Sequence, residues 1–201
     1  MVIPAVILAA GGARRMGQPK LLLPFGDSTI LEQTVDHFLA SVVSEVIVVL
    51  GDRADAMARR LGRRPVRVAR NPAYRRGMST SIAIGLGMIG PESGAVMLAL
   101  ADQPLVGSDT INHLVSVFNS NNKGIAVPVY RGHRGHPVIF SLKYREALLG
   151  LEGDVGGREI VVRHPDDVLE VAVDCAGVAT DIDNMAQYRA AREQCEVDRR
   201  P

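Results

Sequence analysis

Val6 to Leu23 reads VILAAGGARRMGQPKLLL, and the fold is decided by how this stretch changes character along its length. Three aliphatic residues, Val6, Ile7 and Leu8, give way to Ala9, Ala10, Gly11 and Gly12; Arg14, Arg15 and Lys20 follow among small residues. A buried strand that ends in glycines delivers backbone N–H groups to one point, and the missing Cβ lets them approach a ligand closely. Cations just beyond, Arg15 and Lys20, then meet the anion that the loop holds, for which a triphosphate is the natural candidate. Two common phosphate loops are excluded. Gly12 and Gly17 are followed by Gln18-Pro19-Lys20-Leu21 rather than by the end of a G-x-x-x-x-G-K-[ST] loop, and the adjacent Gly11 and Gly12 break the G-x-G-x-x-G spacing.

Outward from this loop, apolar runs alternate with amphipathic segments. Strands are expected at Ile3–Ala9, Glu45–Leu50, Val66–Ala69, Ala95–Leu100, Gly124–Val129, His136–Ser141 and Leu169–Val173. Helices are expected at Ser28–Ser41 with Ser28 as its N-cap, and at Asp52–Leu61, Met78–Ile89, Ser108–Asn119, Lys143–Leu149, Gly156–Val162 and Asn184–Gln194. Strands that are apolar on both faces imply helices packed on both sides, hence an α/β fold with a mainly parallel sheet. Ligands in such sheets sit beyond the carboxyl ends of the strands. That rule gathers Gly11 to Lys20, Asn71 to Ser81, Asp102, and Asp181 with Asp183 around one cleft.

The chain of 201 residues is read as one domain over 1–196 with a tail at 197–201. A formal net charge of +1 argues against a nucleic-acid-binding surface, and the absence of Trp removes the best stacking platform for single strands. No apolar stretch reaches the length of a membrane span. Cys175 and Cys195 form neither a CxxC motif nor a disulfide framework. The N-terminal MVIPAVILAAGG has no basic residue ahead of its apolar run, so it reads as a strand rather than a signal peptide. Together these place the protein in the cytoplasm, with no membrane or nucleic-acid partner.

Three constellations carry the chemistry. Asp102 follows the apolar run AVMLALA, and a carboxylate there is either a helix cap or a metal ligand at the sheet edge. The next credible N-cap is Ser108, six positions on, so the metal reading is favoured, and Mg²⁺ is the cation that one or two carboxylates plus substrate phosphates hold. Asp181 and Asp183 in TDID point the same way if that segment is extended, and either supplies a second carboxylate, unless Asp183 caps the final helix. In the stretch Asn71-Pro72-Ala73-Tyr74-Arg75-Arg76-Gly77-Met78-Ser79-Thr80-Ser81, Gly77 and the hydroxyls of Ser79 and Ser81 open a helix. Its first amides would bind a base or ribose, or Ser79 simply caps the helix.

The residues Leu8-Ala9-Ala10-Gly11, Arg15-Met16-Gly17, Lys20 and Leu22 resemble the L-A-A-G-x-x-x-R-M-G-x-x-K-x-L signature of sugar-nucleotide-type nucleotidyltransferases. The Asn71–Ser81 stretch resembles the N-P-x-Y/W-x-x-G-M-S-x-S segment of the MobA-like NTP transferases of MocA type, the molybdenum cofactor cytidylyltransferases. Ala101-Asp102-Gln103-Pro104 is similar to their G-D-M-P element, with Ala101 in place of glycine. Gly135-His136-Pro137 matches their G-H-P, and Gly153-Asp154 with Gly157-Arg158 resembles their G-D-x-G-A-R loop. After TDID, where relatives continue Thr-Pro, this chain has Asn184-Met185.

The resemblance implies a three-layer α/β/α Rossmann-like nucleotidyltransferase fold with a mixed, mainly parallel sheet, of the nucleotide-diphospho-sugar transferase type. A nucleotide-binding half over about 1–105 would carry Leu8, Ala9, Ala10, Gly11, Gly12, Arg15, Lys20, Asn71, Gly77, Ser79, Ser81 and Asp102. An acceptor-binding half over about 106–196 would carry Gly135, His136, Pro137 and Arg158. Arg15, Lys20 and Asp102 would be catalytic, and Asp102 with Asp183 would hold Mg²⁺. The implied reaction joins CMP from CTP to the phosphate of molybdopterin and releases pyrophosphate. GTP as donor, another acceptor, an NAD(P)-dependent oxidoreductase, and a non-catalytic carrier serving a molybdenum hydroxylase client remain open. The protein is expected to be a monomer or a weak homo-oligomer.

Overall fold

The computed structural model describes residues 1–11 and 18–198. In chain order the strands and helices are β1 (Ala5–Ala9), β2 (Pro24–Phe25), β3 (Ser28–Thr29), α1 (Ile30–Leu39), β4 (Val46–Leu50), α2 (Ala54–Leu61), β5 (Arg67–Arg70), α3 (Met78–Gly87), β6 (Ala95–Leu100) and α4 (Ser108–Asn119). There follow β7 (Ile125–Tyr130), β8 (His133–Arg134), β9 (Val138–Ser141), α5 (Arg145–Leu149), α6 (Arg158–Arg163), β10 (Val168–Ala172) and α7 (Met185–Asp198). The main sheet has the order β10-β7-β9-β6-β1-β4-β5, with β8 paired to β7. β1 pairs in parallel with both β4 and β6, whereas β9 lies antiparallel between β6 and β7. The seven residues between β7 and β9 are too few for a parallel crossover, which takes a dozen or more, so β9 has to run back.

The strands are buried on both faces, as their unbroken apolar sequences require. Ile7, Ala9, Val48 and Leu50 pack with Leu31, Val35, Leu114 and Tyr188, from α1, α4 and α7. Val6, Ile47, Val49 and Leu98, one step out of phase, pack with Ile82, Leu86, Leu148 and Ile160, from α3, α5 and α6. This is the three-layer Rossmann-like arrangement. At Gly85 helix α3 lies so close to β1 that an added Cβ would stand 2.3 Å from Cγ1 of Val6.

The expected strands and helices are found within a few residues of their bounds, and two local readings change. Ser28 does not cap α1; it belongs to the β2–β3 hairpin, which the sequence reading did not anticipate. Thr29 is the cap, because its Oγ1 accepts from the amide of Glu32 while the Glu32 carboxylate accepts from the amide of Thr29. Only this frame puts an acidic residue three positions after the hydroxyl. Likewise α4 starts at Ser108 itself, with Gly107 in the cap position. Among the described residues no helix is long and apolar enough to cross a membrane.

At the amino end of β7, the Asp167 carboxylate accepts from the Tyr144 hydroxyl at 2.6 Å and pairs with Lys143 at 2.7 Å. Burial pushes this carboxyl up, but the bonds from Lys143, Tyr144 and the Gly124 amide outweigh it and bring the pKa down to about 2. An unperturbed carboxyl titrates near about 3.9. The unfolded chain therefore binds more protons between these values, and the stabilisation is complete above about pH 4 and lost as pH falls toward 2. Asp167→Asn should lower stability at pH 7 by about 1–2 kcal/mol. In denaturant titrations at stepped pH, the gap to the unchanged protein should close between about pH 4 and pH 2; a gap independent of pH would refute the assignment.

Candidate active site

Two strand ends, a turn and the segment before α7 converge at the carboxyl edge of the sheet. β1 runs into Ala9 and Ala10, both buried, and then Gly11. Beyond the undescribed positions, a 3-10 turn over Lys20–Leu22 is anchored by buried Leu21, and the Pro24 carbonyl accepts from the Tyr188 hydroxyl at 2.5 Å. β6 ends at Leu100, and the Ala101 amide donates to the Leu8 carbonyl, which fixes Asp102 beside β1. The segment before α7 returns to the same place, with the Ile182 amide donating to the Asp102 carbonyl.

These contacts bring together side chains far apart in the sequence. The Lys20 Nζ donates to Asp102 Oδ2 at 2.6 Å and to Asp183 Oδ1 at 3.1 Å. Burial would lower the Lys20 pKa, but the attraction of Asp102 and Asp183 prevails and raises it. Burial raises the Asp102 carboxyl, and the Lys20 ammonium only partly offsets this. The trio is an ammonium between two carboxylates, with one negative charge in excess.

Asp183 does not cap α7. The Asn184 Oδ1 accepts from the amides of Ala186 and Gln187, and Gln187 Oε1 accepts from those of Asp183 and Asn184. The departure from Thr-Pro thus supplies a cap of its own and leaves the Asp183 carboxylate to Lys20. Asp181 does not share the ammonium; its Oδ1 accepts from Gln103 Nε2 at 2.7 Å. Among the described residues no three His, Cys, Asp or Glu converge as a metal cage. A divalent ion on Asp102 and Asp183 would complete its shell with phosphate oxygens and water, which is how Mg²⁺ is commonly held.

The Asn71–Ser81 stretch corrects the expectation of an open helix start. Asn71 is buried, its Nδ2 donates to the hydroxyls of Thr80 and Ser81, and its Oδ1 accepts from the Ala73 amide. The first amides of α3 are already engaged: Met78 donates to Asp154 Oδ1 and Ser79 to the Gly153 carbonyl. Gly77, at φ 115°, stands in the cap position instead of Ser79. The Gly153–Asp154 loop, which the sequence reading linked to the acceptor half, therefore closes the helix end that would have faced the nucleotide.

Beside the trio opens a cavity of about 630 Å³. Leu8, Leu98 and Leu100 form its sheet wall, and Met78, Ile82, Val161 and Val162 its helix walls. Gly135, His136 and Arg158 line it; Pro137, which is buried, does not. Burial lowers the His136 pKa, against the pull of Asp181 and Asp102. Gln103 and Asp181 also line the cavity and join it to the trio. Gln103 was missed, although it follows Asp102 directly in the sequence. Gly12 and Arg15 lie outside the described residues.

The model of the MobA-like NTP transferase domain matches residues 5–168. The chain is 30% identical to a protein named nicotine blue oxidoreductase from Paenarthrobacter nicotinovorans, over 93% of this chain and 95% of that one. It is 26% identical to the molybdenum cofactor cytidylyltransferase of Escherichia coli, over 96% of each. Among solved structures, a nucleotidyl transferase from Methanothermobacter superposes with a TM-score of 0.85 at 25% identity, covering 98% of this chain and 99% of that one. Rv0371C of Mycobacterium tuberculosis, described as a complex with manganese, superposes with a TM-score of 0.81 at 30% identity, over 96% and 99%.

The closed helix end yields a test. A Cβ at Gly77 would stand 2.1 Å from the Gly153 carbonyl, on a backbone that L-residues rarely adopt. Gly77→Ala should cost about 1–3 kcal/mol and free the loop, exposing the Met78 and Ser79 amides to hydrogen exchange. Asp154→Ala removes one bond and should cost about 0.5–1.5 kcal/mol, leaving the Ser79 amide protected. Equal protection of the Ser79 amide in the unchanged protein and Gly77→Ala would refute the docking.

Proposed function

Since the chain belongs to the MobA-like NTP transferase family, a family of nucleotidyltransferases, we propose that it transfers CMP from CTP to the phosphate of a molybdopterin-type acceptor and releases pyrophosphate. The observation that carries this reading is Lys20 held between Asp102 and Asp183 near the end of β1, next to a half-open cavity large enough for an acceptor. The CTP preference is supported by Leu8-Ala9-Ala10-Gly11 and by the likeness to the cytidylyltransferase of Escherichia coli.

A phosphomonoester is largely dianionic near neutrality, its second pKa being about 6, so it needs no strong general base. One of its oxygens attacks the α-phosphorus in line. The new P–O bond forms as the bond from the α-phosphorus to the bridging oxygen breaks, and that oxygen's electron pair leaves with pyrophosphate. Lys20, joined by Arg15, would neutralise the charge that builds on the departing group. Asp102 and Asp183 are the residues that would hold Mg²⁺, which supplies charge neutralisation on the phosphates; hard carboxylate oxygens suit that ion. His136 and Arg158 would hold the acceptor, with the aliphatic walls covering its ring system and excluding water. Gly11 and Gly12 would bring amides to the nucleotide, while Asn71, Gly77, Ser79 and Ser81 would act by fixing the wall beside it. On this reading the protein works in the cytoplasm, and a molybdenum hydroxylase receives the product.

The relative named nicotine blue oxidoreductase gives a second reading, a nicotinamide-dependent reduction, and one experiment separates the two. The protein is incubated with molybdopterin, Mg²⁺ and each nucleoside triphosphate in turn, and pyrophosphate release is followed. Release with CTP is expected; release with GTP alone would move the base assignment. No release with any of them, together with NAD(P)H oxidation by the same preparation, would overturn the transferase reading in favour of the reductase. Lys20→Ala should lower turnover by on the order of 10²–10³ while its circular dichroism is kept. Turnover near that of the unchanged protein would remove Lys20 from the mechanism, whereas client maturation left intact in both Lys20→Ala and Asp102→Ala would favour a carrier over a catalyst.

A further inference from the structure

We propose that Lys20 is a resident counter-ion in the cation position of this cleft, and that it has to vacate that position for a divalent ion to enter. The inference rests on the reading of Asp102 and Asp183 as metal ligands. Its basis is that the ammonium already contacts Asp102 Oδ2 and Asp183 Oδ1 from a point between them. A Mg²⁺ ion bound there would stand about 2.0–2.1 Å from each ligand oxygen. Two cations cannot share that interval, because their repulsion in a half-buried cleft is screened only weakly.

The lysine stem lets the ammonium swing aside, but the move needs a destination. Asp181 is close enough to act on Asp102, yet it is held by Gln103. A nucleotide's phosphate tail provides a new anionic partner. Without nucleotide, a metal ion displaces Lys20 and strands its charge in a partly buried place, which is costly. With nucleotide, the ammonium exchanges carboxylates for phosphates and the two carboxylates are released to the metal. Lys20 therefore couples the two binding events beyond what direct phosphate coordination gives, and linkage makes this coupling reciprocal. An empty cleft is guarded against free divalent ions by its own side chain.

The test uses Mn²⁺ alone as the probe, with free Mn²⁺ measured by electron paramagnetic resonance on nucleotide-free protein. Lys20→Met should bind Mn²⁺ about tenfold more tightly than the unchanged protein, within the usual range of about 5–150-fold for coupled sites. Lys20→Arg, which keeps the charge, should stay as weak as the unchanged protein. Arg134→Gln removes a cavity cation that pairs with Glu170 rather than with the two carboxylates and should leave the affinity where it is. Adding CTP should then improve Mn²⁺ binding by a larger factor in the unchanged protein than in Lys20→Met. If Lys20→Met does not fold, Lys20→Gln, with a polar side chain of similar reach, takes its place.

Equal or weaker Mn²⁺ binding by Lys20→Met, or by Lys20→Gln in its place, would overturn the inference while leaving the metal site intact. So would an equal gain in Arg134→Gln, because the effect would then be that of the general field. Failure of every form to bind Mn²⁺, with or without CTP, would instead remove the metal-ligand reading itself and this inference with it.

Discussion

An ammonium group drawn to two carboxylates at 2.6 and 3.1 Å is stable only while three distant segments stay in register. Each ion taken out of water costs several kcal/mol, so a shift of any one segment leaves an uncompensated charge half-buried. The surrounding structure is arranged against that shift. Leu21 pins the turn that carries Lys20, and Tyr188 of α7 ties the same segment through Pro24. Ala101, 1% exposed, leaves Asp102 little freedom at the end of β6, and the Asn184 cap fixes Asp183 from the other side. The charged trio and the packing beneath it are one construction.

Its sign explains what the cleft would accept. Lys20 stands between two carboxylates, and Asp181 acts on Asp102 as a third acidic group close by. A bare triphosphate would meet repulsion there. On the proposed reading, a divalent ion on Asp102 and Asp183 would reverse the balance, and the donor would then be the metal–nucleotide complex rather than the free anion.

Much of this was legible in the residues. The apolar runs around Val6, Val48 and Leu98 gave the buried strands, and the rule that ligands gather at strand ends placed Lys20 and Asp102 in one cleft. What escaped was set by contacts between distant segments or by a one-residue frame. Ser28 and Thr29 both carry cap-forming hydroxyls, and only the reach of Glu32 back to Thr29 separates them. The two acids of TDID are equivalent on an extended strand until Gln103 takes Asp181 and Lys20 takes Asp183. The amides at the start of α3 looked open because their partner, the Gly153–Asp154 loop, lies more than seventy residues along the chain.

That loop also bears on how the two halves cooperate. It comes from the segment that precedes Arg158, yet it docks on the helix that follows Gly77 in the other half. The Gly77 backbone, at φ 115°, leaves no room for a side chain where the loop passes. Met78 and Ile82, on the same helix, form one wall of the acceptor-side cavity, and Leu8 of the strand leading to the glycine loop forms another. The cavity is therefore walled by segments far apart in the chain, and a change in the loop that moves α3 alters its shape and the approach to Lys20 together. If the proposed acceptor and nucleotide sites lie here, they share walls, and specificity for one would be changed by residues assigned to the other.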